Sequence, residues 1–134
     1  MPTAIRKTIQ IKAPVDKVWA ALTDAAAIGA WMGKAGLKLT LRKGGHYAFF
    51  GGDTTGVFTE IRRPNTLEYT WRQHSWPKDW VDSVVRWELN PKGKSTYLRL
   101  VHSQLPNTEE RDSHDEGWDS FWLGPMKAWL EKKG

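Results

Sequence analysis

The chain has 134 residues, with 20 Lys or Arg against 15 Asp or Glu, which gives a formal net charge of +5. It contains no cysteine, so disulfides, thiol catalysis and thiolate metal ligands are excluded. This length favours one domain over residues 1–134, large enough to bury roughly two thirds of its unfolded surface.

The N-terminal third of the chain predicts a strand followed by two short helices. Residues 6–11 alternate and are β-branched, which is typical of a strand. Pro14 then suits the first position of a helix, whose buried face would carry apolar residues at 15, 18, 19 and 22. Asp24 can cap a second helix that ends near residues 31–33.

From residue 37 the apolar period changes to two, which predicts about six strands. We place them at residues 37–41, 46–50, 54–61, 67–72, 84–89 and 97–102. In the strand 54–61, the alternation favours Val57, Thr59 and Ile61 on one face. Turn signals separate successive strands, and such short connections require antiparallel pairing.

The C-terminal segment predicts a long amphipathic helix over residues 113–132. Its apolar residues fall on one helical face: Trp118, Phe121, Trp122, Met126, Trp129 and Leu130. Either Asn107 or Ser113 could cap its start, since each is followed three residues later by Glu. Pro125 is expected to bend the helix, because proline removes a backbone hydrogen bond.

Five ordered motifs resemble those of one known family. They are Ala13-Pro14-Val15-x-x-Val18-Trp19, Gly44-Gly45-x-Tyr47-x-Phe49, Gly56-Val57-x-x-Glu60-Ile61, Leu67-x-Tyr69-Thr70-Trp71 and the helix opening at Gly117-Trp118. The chain resembles the family named for the activator of heat-shock protein 90 ATPase, within the START-related, birch-pollen-allergen-like (SRPBCC) superfamily. The resemblance implies an α+β helix-grip fold, in which a curved antiparallel sheet wraps around the C-terminal helix and two short helices close one end. Superfamily members include carriers of hydrophobic ligands, polyketide cyclases and co-chaperones, and the resemblance transfers no catalytic residue or cofactor.

A set of aromatic and apolar residues faces the space that the sheet and the helix would share. These pocket candidates are Tyr47, Phe49, Tyr69, Trp71, Trp87, Leu98, Leu100, His102, Trp118, Phe121 and Trp122. Either they fill a core, or they line a cavity for a ligand. His102 is interpreted as a hydrogen-bonded histidine at the end of a core strand rather than as a ligand contact.

No other pattern specifies an active site. The four histidines lack the spacing of a metal site, so we expect no metal, and the carboxylates at residues 109–119 are interpreted as solvated helix caps. The basic residues form no stripe with exposed aromatics, so nucleic acid is not an expected partner. The apolar runs are too short for a signal peptide or a membrane span, so we expect a cytoplasmic protein.

Three functions remain open from the sequence. The first is a binding domain for a small hydrophobic or aromatic molecule, and the second is a cyclase-like enzyme on a polyketide-type substrate. The third is a module that contacts a chaperone, for which Trp31, Trp76 and Trp80 would supply an exposed patch. The loop of residues 76–80 could equally be a lid over the mouth of the pocket.

Overall fold

In the computed structural model, residues 2–33 and 37–133 are described. The strands are β1 (Ile5–Ile11), β2 (Lys38–Leu39), β3 (His46–Phe49), β4 (Thr54–Arg62), β5 (Thr66–Gln73), β6 (Ser83–Lys92) and β7 (Ser95–Ser103). The helices are α1 (Val15–Thr23), α2 (Ala25–Met32), α3 (Thr108–Gly117) and α4 (Gly124–Lys133), and a π-helical turn (Trp118–Leu123) joins the last two. This order is the predicted one, and the α+β helix-grip fold is confirmed.

The seven strands form one curved antiparallel sheet in the order β1-β7-β6-β5-β4-β3-β2. Strict alternation on β5, β6 and β7 turns every second side chain toward the helices. Leu67, Trp87 and Leu100 on that face are completely buried. The helical layer covers this face, and a core rich in indole rings fills the space between the two layers.

The predicted face of β4 is wrong in part. Phe58 is buried, whereas Thr59 is exposed and Val57 and Ile61 are half-buried. The pairing of β4 with β5 shifts register between Phe58 and Glu60, and such a bulge breaks the alternation on which the prediction depended.

The C-terminal helix begins earlier than predicted. Asn107 is its cap, because its side-chain oxygen accepts a 2.8 Å hydrogen bond from the N–H of Glu110. Lys7 ties the helix to β1 through ion pairs of 2.8 Å with both Asp115 and Asp119.

The π-helical turn explains why the predicted apolar face is wrong at Phe121. The N–H of Gly124 bonds to the carbonyl of Asp119, five residues back, so the turn is wider than an α-helical one. Trp118 and Trp122 stay buried, but Phe121 is 67% exposed, and Leu123 is buried in the core. Pro125 is the second residue of α4, and Gly124 separates it from this widened turn. A π-turn and a proline are both known sources of helix bending, and the bend at Pro125 stays a prediction.

Candidate functional site

An open cleft of about 270 Å³ lies between the C-terminal helix, the ends of β4 and β5, and the turn before β4. Its lining consists of Phe50, Asp53, Thr54, Trp71, Gln73, Ser113, His114, Gly117, Trp118, Phe121 and Trp122. Both the sheet and the helix therefore contribute walls, as expected for a site between them.

Three buried indoles form the apolar base of the cleft. The ring centroids of Trp118 and Trp122 lie 4.9 Å apart, and those of Trp71 and Trp118 lie 5.0 Å apart. The ring planes are tilted by 48° to 60° in the three pairs that Trp71, Trp118 and Trp122 make. This geometry is within the range of favourable aromatic contacts, so the base is a packed surface rather than loose side chains.

A buried hydrogen-bond chain orients the first of these indoles. Trp118 donates its Nε1–H to Nδ1 of His102 at 3.0 Å, and an indole can only donate. His102 therefore carries its proton on Nε2, which donates to Oγ of Ser83 at 2.8 Å. Ser83 in turn donates to the carbonyl of Trp71 at 2.7 Å. Each buried side-chain nitrogen and oxygen of Trp118, His102 and Ser83 therefore has a hydrogen-bond partner.

Burial is the main reason why the pKa of His102 lies well below its ordinary value, and the proximity of His114 lowers this pKa further. The imidazole is therefore neutral in the folded protein at physiological pH. This agrees with the prediction of a hydrogen-bonded histidine at the end of a core strand.

His114 orients the second indole with the opposite tautomer. Trp71 donates its Nε1–H to Nε2 of His114 at 3.1 Å, and Nδ1 of His114 donates to the carbonyl of Glu110 at 2.8 Å. Both ring nitrogens of this cleft-lining histidine are thus engaged within the protein. The indoles of Trp71 and Trp118 consequently present ring surface, not free N–H groups, to the cleft.

Two exposed phenylalanines border the mouth of the cleft. Phe121 is 67% exposed on the helix side, and Phe50 is 38% exposed on the turn before β4. Phe50 has a φ of +55°, in the left-handed region that bulky residues avoid, and Gly51 and Gly52 follow with φ of +67° and +100°. Such strain of about 1–3 kcal/mol is found mainly where a fixed loop geometry matters for function.

The polar groups of the cleft include one carboxylate and two kinds of N–H donor. Thr54 donates its hydroxyl hydrogen to Oε1 of Gln73 at 2.5 Å, which leaves the Gln73 amide nitrogen as a donor. Trp122 also lines the cleft, and its Nε1–H has no hydrogen-bond partner within the described residues and is not fully buried. Asp53, exposed at the mouth, supplies the carboxylate.

The predicted pocket residues fall into two groups. Trp71, Trp118, Phe121 and Trp122 line the cleft. The others pack in the core beneath it: Tyr47, Phe49, Tyr69, Trp87, Leu98, Leu100 and His102. There, Trp87 donates its indole N–H to the Tyr69 hydroxyl at 2.9 Å, and burial raises the pKa of Tyr69.

Sequence reasoning missed the remaining cleft residues, of which Phe50, Asp53 and Gln73 are the most informative. The glycine pair after Phe50 was visible as a turn signal, but nothing in the sequence brings that turn against a helix sixty residues later. The turn precedes β4 and Gln73 ends β5, so they become neighbours because these two strands are adjacent in the sheet.

The three tryptophans proposed for an exposed patch do not form one. Trp31 and Trp76 are 7% and 5% exposed, and Trp80 is half-buried. Trp76 lies in the loop between β5 and β6 but turns inward, where its Nε1–H donates to the Glu110 carboxylate at 3.0 Å. The loop is fastened to the sheet as well, since Arg72 donates to the carbonyls of Trp80 and Pro77.

Within residues 2–33 and 37–133, no three His, Asp or Glu side chains come close enough to hold a metal ion. In the same part of the chain, no helix is long and apolar enough to cross a membrane.

The model of one protein family, "Activator of Hsp90 ATPase homolog 1-like protein", matches residues 12–131. The chain belongs to this family. Because the match includes β2 to β7 and every residue that lines the cleft, the cleft is part of the family's domain.

Solved structures of family-like proteins have the same fold. PFC0360w, an HSP90 activator from Plasmodium falciparum, superposes with a TM-score of 0.89 at 24% identity, over 96% of each chain. CalU16 from Micromonospora echinospora gives 0.83 at 27% identity, over 98% of this chain and 76% of the other. A curated relative, the uncharacterized protein C1711.08 of Schizosaccharomyces pombe, is 26% identical over 92% of this chain, which spans only 36% of that longer protein.

Proposed function

We propose that this chain is a binding domain for a small flat aromatic molecule, held in the cleft between the sheet and the C-terminal helix. The observation that carries the proposal is the position of Phe121. The ring is 67% exposed although the same helix buries Trp118 and Trp122 on either side in sequence, and it borders an open cleft with an indole base. Exposed apolar surface around a concave site is typical of a ligand-binding site.

The size and walls of the cleft favour a molecule of a few fused rings. Its volume of about 270 Å³ lies at the small end of ligand pockets. The ring surfaces of Trp71, Trp118 and Trp122 offer stacking contacts. The free N–H groups of Gln73 and Trp122 could bond to a carbonyl or hydroxyl oxygen on the ligand.

The proposal is tested by titrating the protein with flavonoid-like compounds and with long-chain fatty acids while following tryptophan fluorescence. Flat compounds should give saturable quenching and should displace fatty acids. Phe121→Ala should weaken their binding by about three- to ten-fold, the worth of one aromatic contact. Val81→Ala is the matched control, because Val81 is 65% exposed and does not line the cleft.

If a broad panel of flat and aliphatic compounds gives no saturable change, the proposal is wrong. Mass spectrometry of the bound compound separates binding from catalysis: recovery of the unchanged compound supports a binding domain, and chemical conversion would support the cyclase-like enzyme.

Family membership favours a second candidate function, contact with the chaperone Hsp90. The test is the ATPase rate of a purified Hsp90 with and without this protein. A dose-dependent increase would support the contact, and an unchanged rate at saturating protein would contradict it.

A further inference from the structure

The cleft has a one-sided distribution of charge. Among the described residues that line it, Asp53 is the one acidic side chain, and none is Lys or Arg. The neighbouring helix α3 adds to this polarity, because it carries five acidic residues against Arg111 as its one Lys or Arg. Low-dielectric walls that carry one sign of charge concentrate ions of the opposite sign.

Two described basic residues near this helix, Lys7 and Arg111, pair with carboxylates that do not line the cleft. Lys7 is engaged by Asp115 and Asp119 at 2.8 Å each, on the β1 side of the helix. Arg111 lies beside Asp112 at 3.4 Å and Asp115 at 3.9 Å. His114, within the lining, accepts the Trp71 N–H at Nε2 and bonds through Nδ1 to the carbonyl of Glu110.

The aromatic base also favours a cation. The N–H groups of Trp71 and Trp118 are used by the two histidines, so these indoles offer the ligand ring surface and no N–H donor. A cation over the face of an indole is attracted by its quadrupole, and indole is the best of the aromatic side chains in this respect. Among the described residues that line the cleft, a carboxylate ligand would meet no Lys or Arg side chain.

We propose that the cleft selects flat aromatic molecules that carry a protonated amine and discriminates against those that carry a carboxylate. The rings would lie against the base of Trp71, Trp118 and Trp122, and the ammonium group would lie at the mouth beside Asp53. This inference rests on the proposed binding function and adds the charge of the ligand to it.

The experiment compares three probes with one ring system: 1-(aminomethyl)naphthalene as the cation, 1-naphthalenemethanol as the neutral compound and 1-naphthoate as the anion. Affinities are measured by isothermal titration calorimetry at pH 7 and low salt. We expect the cation to bind about five-fold more tightly than the neutral probe, as befits a solvent-exposed carboxylate with a weak cation–π contact. The anion should bind more weakly than both, and added salt should narrow the differences.

Asp53→Asn is the test variant, because it keeps the size of the side chain and removes its charge. Asp79→Asn, an equally isosteric change at an exposed position in the loop between β5 and β6 and outside the cleft, is the matched control. The preference for the cation should largely disappear in Asp53→Asn and persist in Asp79→Asn.

The outcomes separate the two proposals. Equal affinity for all three probes, or a preference for the cation that survives Asp53→Asn, would overturn the charge selectivity and leave the binding function standing. Failure of all three probes and of the flavonoid-like panel to bind would overturn the binding function itself.

Discussion

Trp118 on the C-terminal helix donates its indole N–H to Nδ1 of His102 on β7 over 3.0 Å, and both side chains are buried. This bond links the helix to the sheet directly beneath the cleft. It also determines the tautomer of His102, and through Ser83 it reaches the backbone of β5. The orientation of the cleft base therefore depends on a few buried polar atoms as well as on apolar packing.

Replacing His102 by phenylalanine should destabilise the fold with little change in side-chain volume. The Trp118 N–H would lose its acceptor, and a buried polar group without a partner costs about 1–3 kcal/mol. Urea denaturation should show this loss in the free energy of unfolding. His46→Phe is the control, since His46 is exposed on β3 and its replacement should change stability by less than about 0.5 kcal/mol. Equal stabilities of the two variants would contradict the role of the buried bond.

Stability should fall on acidification below about pH 6.5, because His102 has a lowered pKa in the folded protein. An unfolded chain protonates this histidine near its ordinary pKa of 6.5, whereas burial keeps it neutral in the native state. Between the two pKa values the unfolded state binds one more proton, so the free energy of unfolding decreases by up to about 1.4 kcal/mol per pH unit. Above pH 6.5 this contribution to stability is fully present.

Urea unfolding at pH 7.5, 6.5 and 5.5 measures this slope, which should be shallower in His102→Phe than in the natural chain. A ring proton of native His102 that titrates near pH 6.5 by NMR would contradict the expectation.

Truncation to alanine should destabilise the fold strongly at Trp122 and hardly at all at the neighbouring Phe121. Trp122 is 5% exposed, and Trp122→Ala should lower the free energy of unfolding by about 3–5 kcal/mol through the cavity it leaves. Phe121 is 67% exposed, and Phe121→Ala should change it by less than about 0.5 kcal/mol. Thermal unfolding of the two variants side by side checks which of the two side chains the π-helical turn buries. A larger loss of stability in Phe121→Ala than in Trp122→Ala would contradict the buried position of Trp122 and the exposed position of Phe121.

Two glycines should respond oppositely to alanine. A Cβ on Gly56 in β4 would lie 1.9 Å from the carbonyl oxygen of Thr70 and 2.5 Å from the Tyr47 ring, so Gly56→Ala must displace β5 or the tyrosine. A loss of about 1–3 kcal/mol is expected for such overpacking. Gly29 lies within α2 and has no atom within 4 Å of the added Cβ, so Gly29→Ala should stabilise by about 0.5–1 kcal/mol. Chemical denaturation gives both values, and a tolerated Gly56→Ala would contradict the close approach.

The parts of the fold that obey a regular period could be predicted from the sequence. The alternation on β5, β6 and β7 correctly placed Tyr69, Trp87 and Leu100 on the buried face. The errors occur where the backbone departs from that period. A bulge displaced the face of β4, and a widened turn exposed Phe121.

The cleft itself was less predictable, because it depends on contacts distant in sequence. Trp76 is in a loop and was expected at the surface, yet a bond to Glu110 on another element draws it inward. Asp53 and Gln73 carry no motif, and they border the cleft only because two strands pair and a helix lies against their ends.

The close spacing of the indoles has a consequence for spectroscopy. Trp87 lies 6.2 Å from Trp122, and Trp31 lies 5.6 Å from it, in addition to Trp71 and Trp118. At such separations, electronic excitation passes readily between rings before light is emitted. The tryptophans of the core therefore emit as a coupled set. A molecule that quenches the fluorescence of Trp122 will also reduce the emission of the neighbouring tryptophans. Intrinsic emission should be a sensitive detector of any ligand at the cleft and a poor guide to which indole the ligand touches.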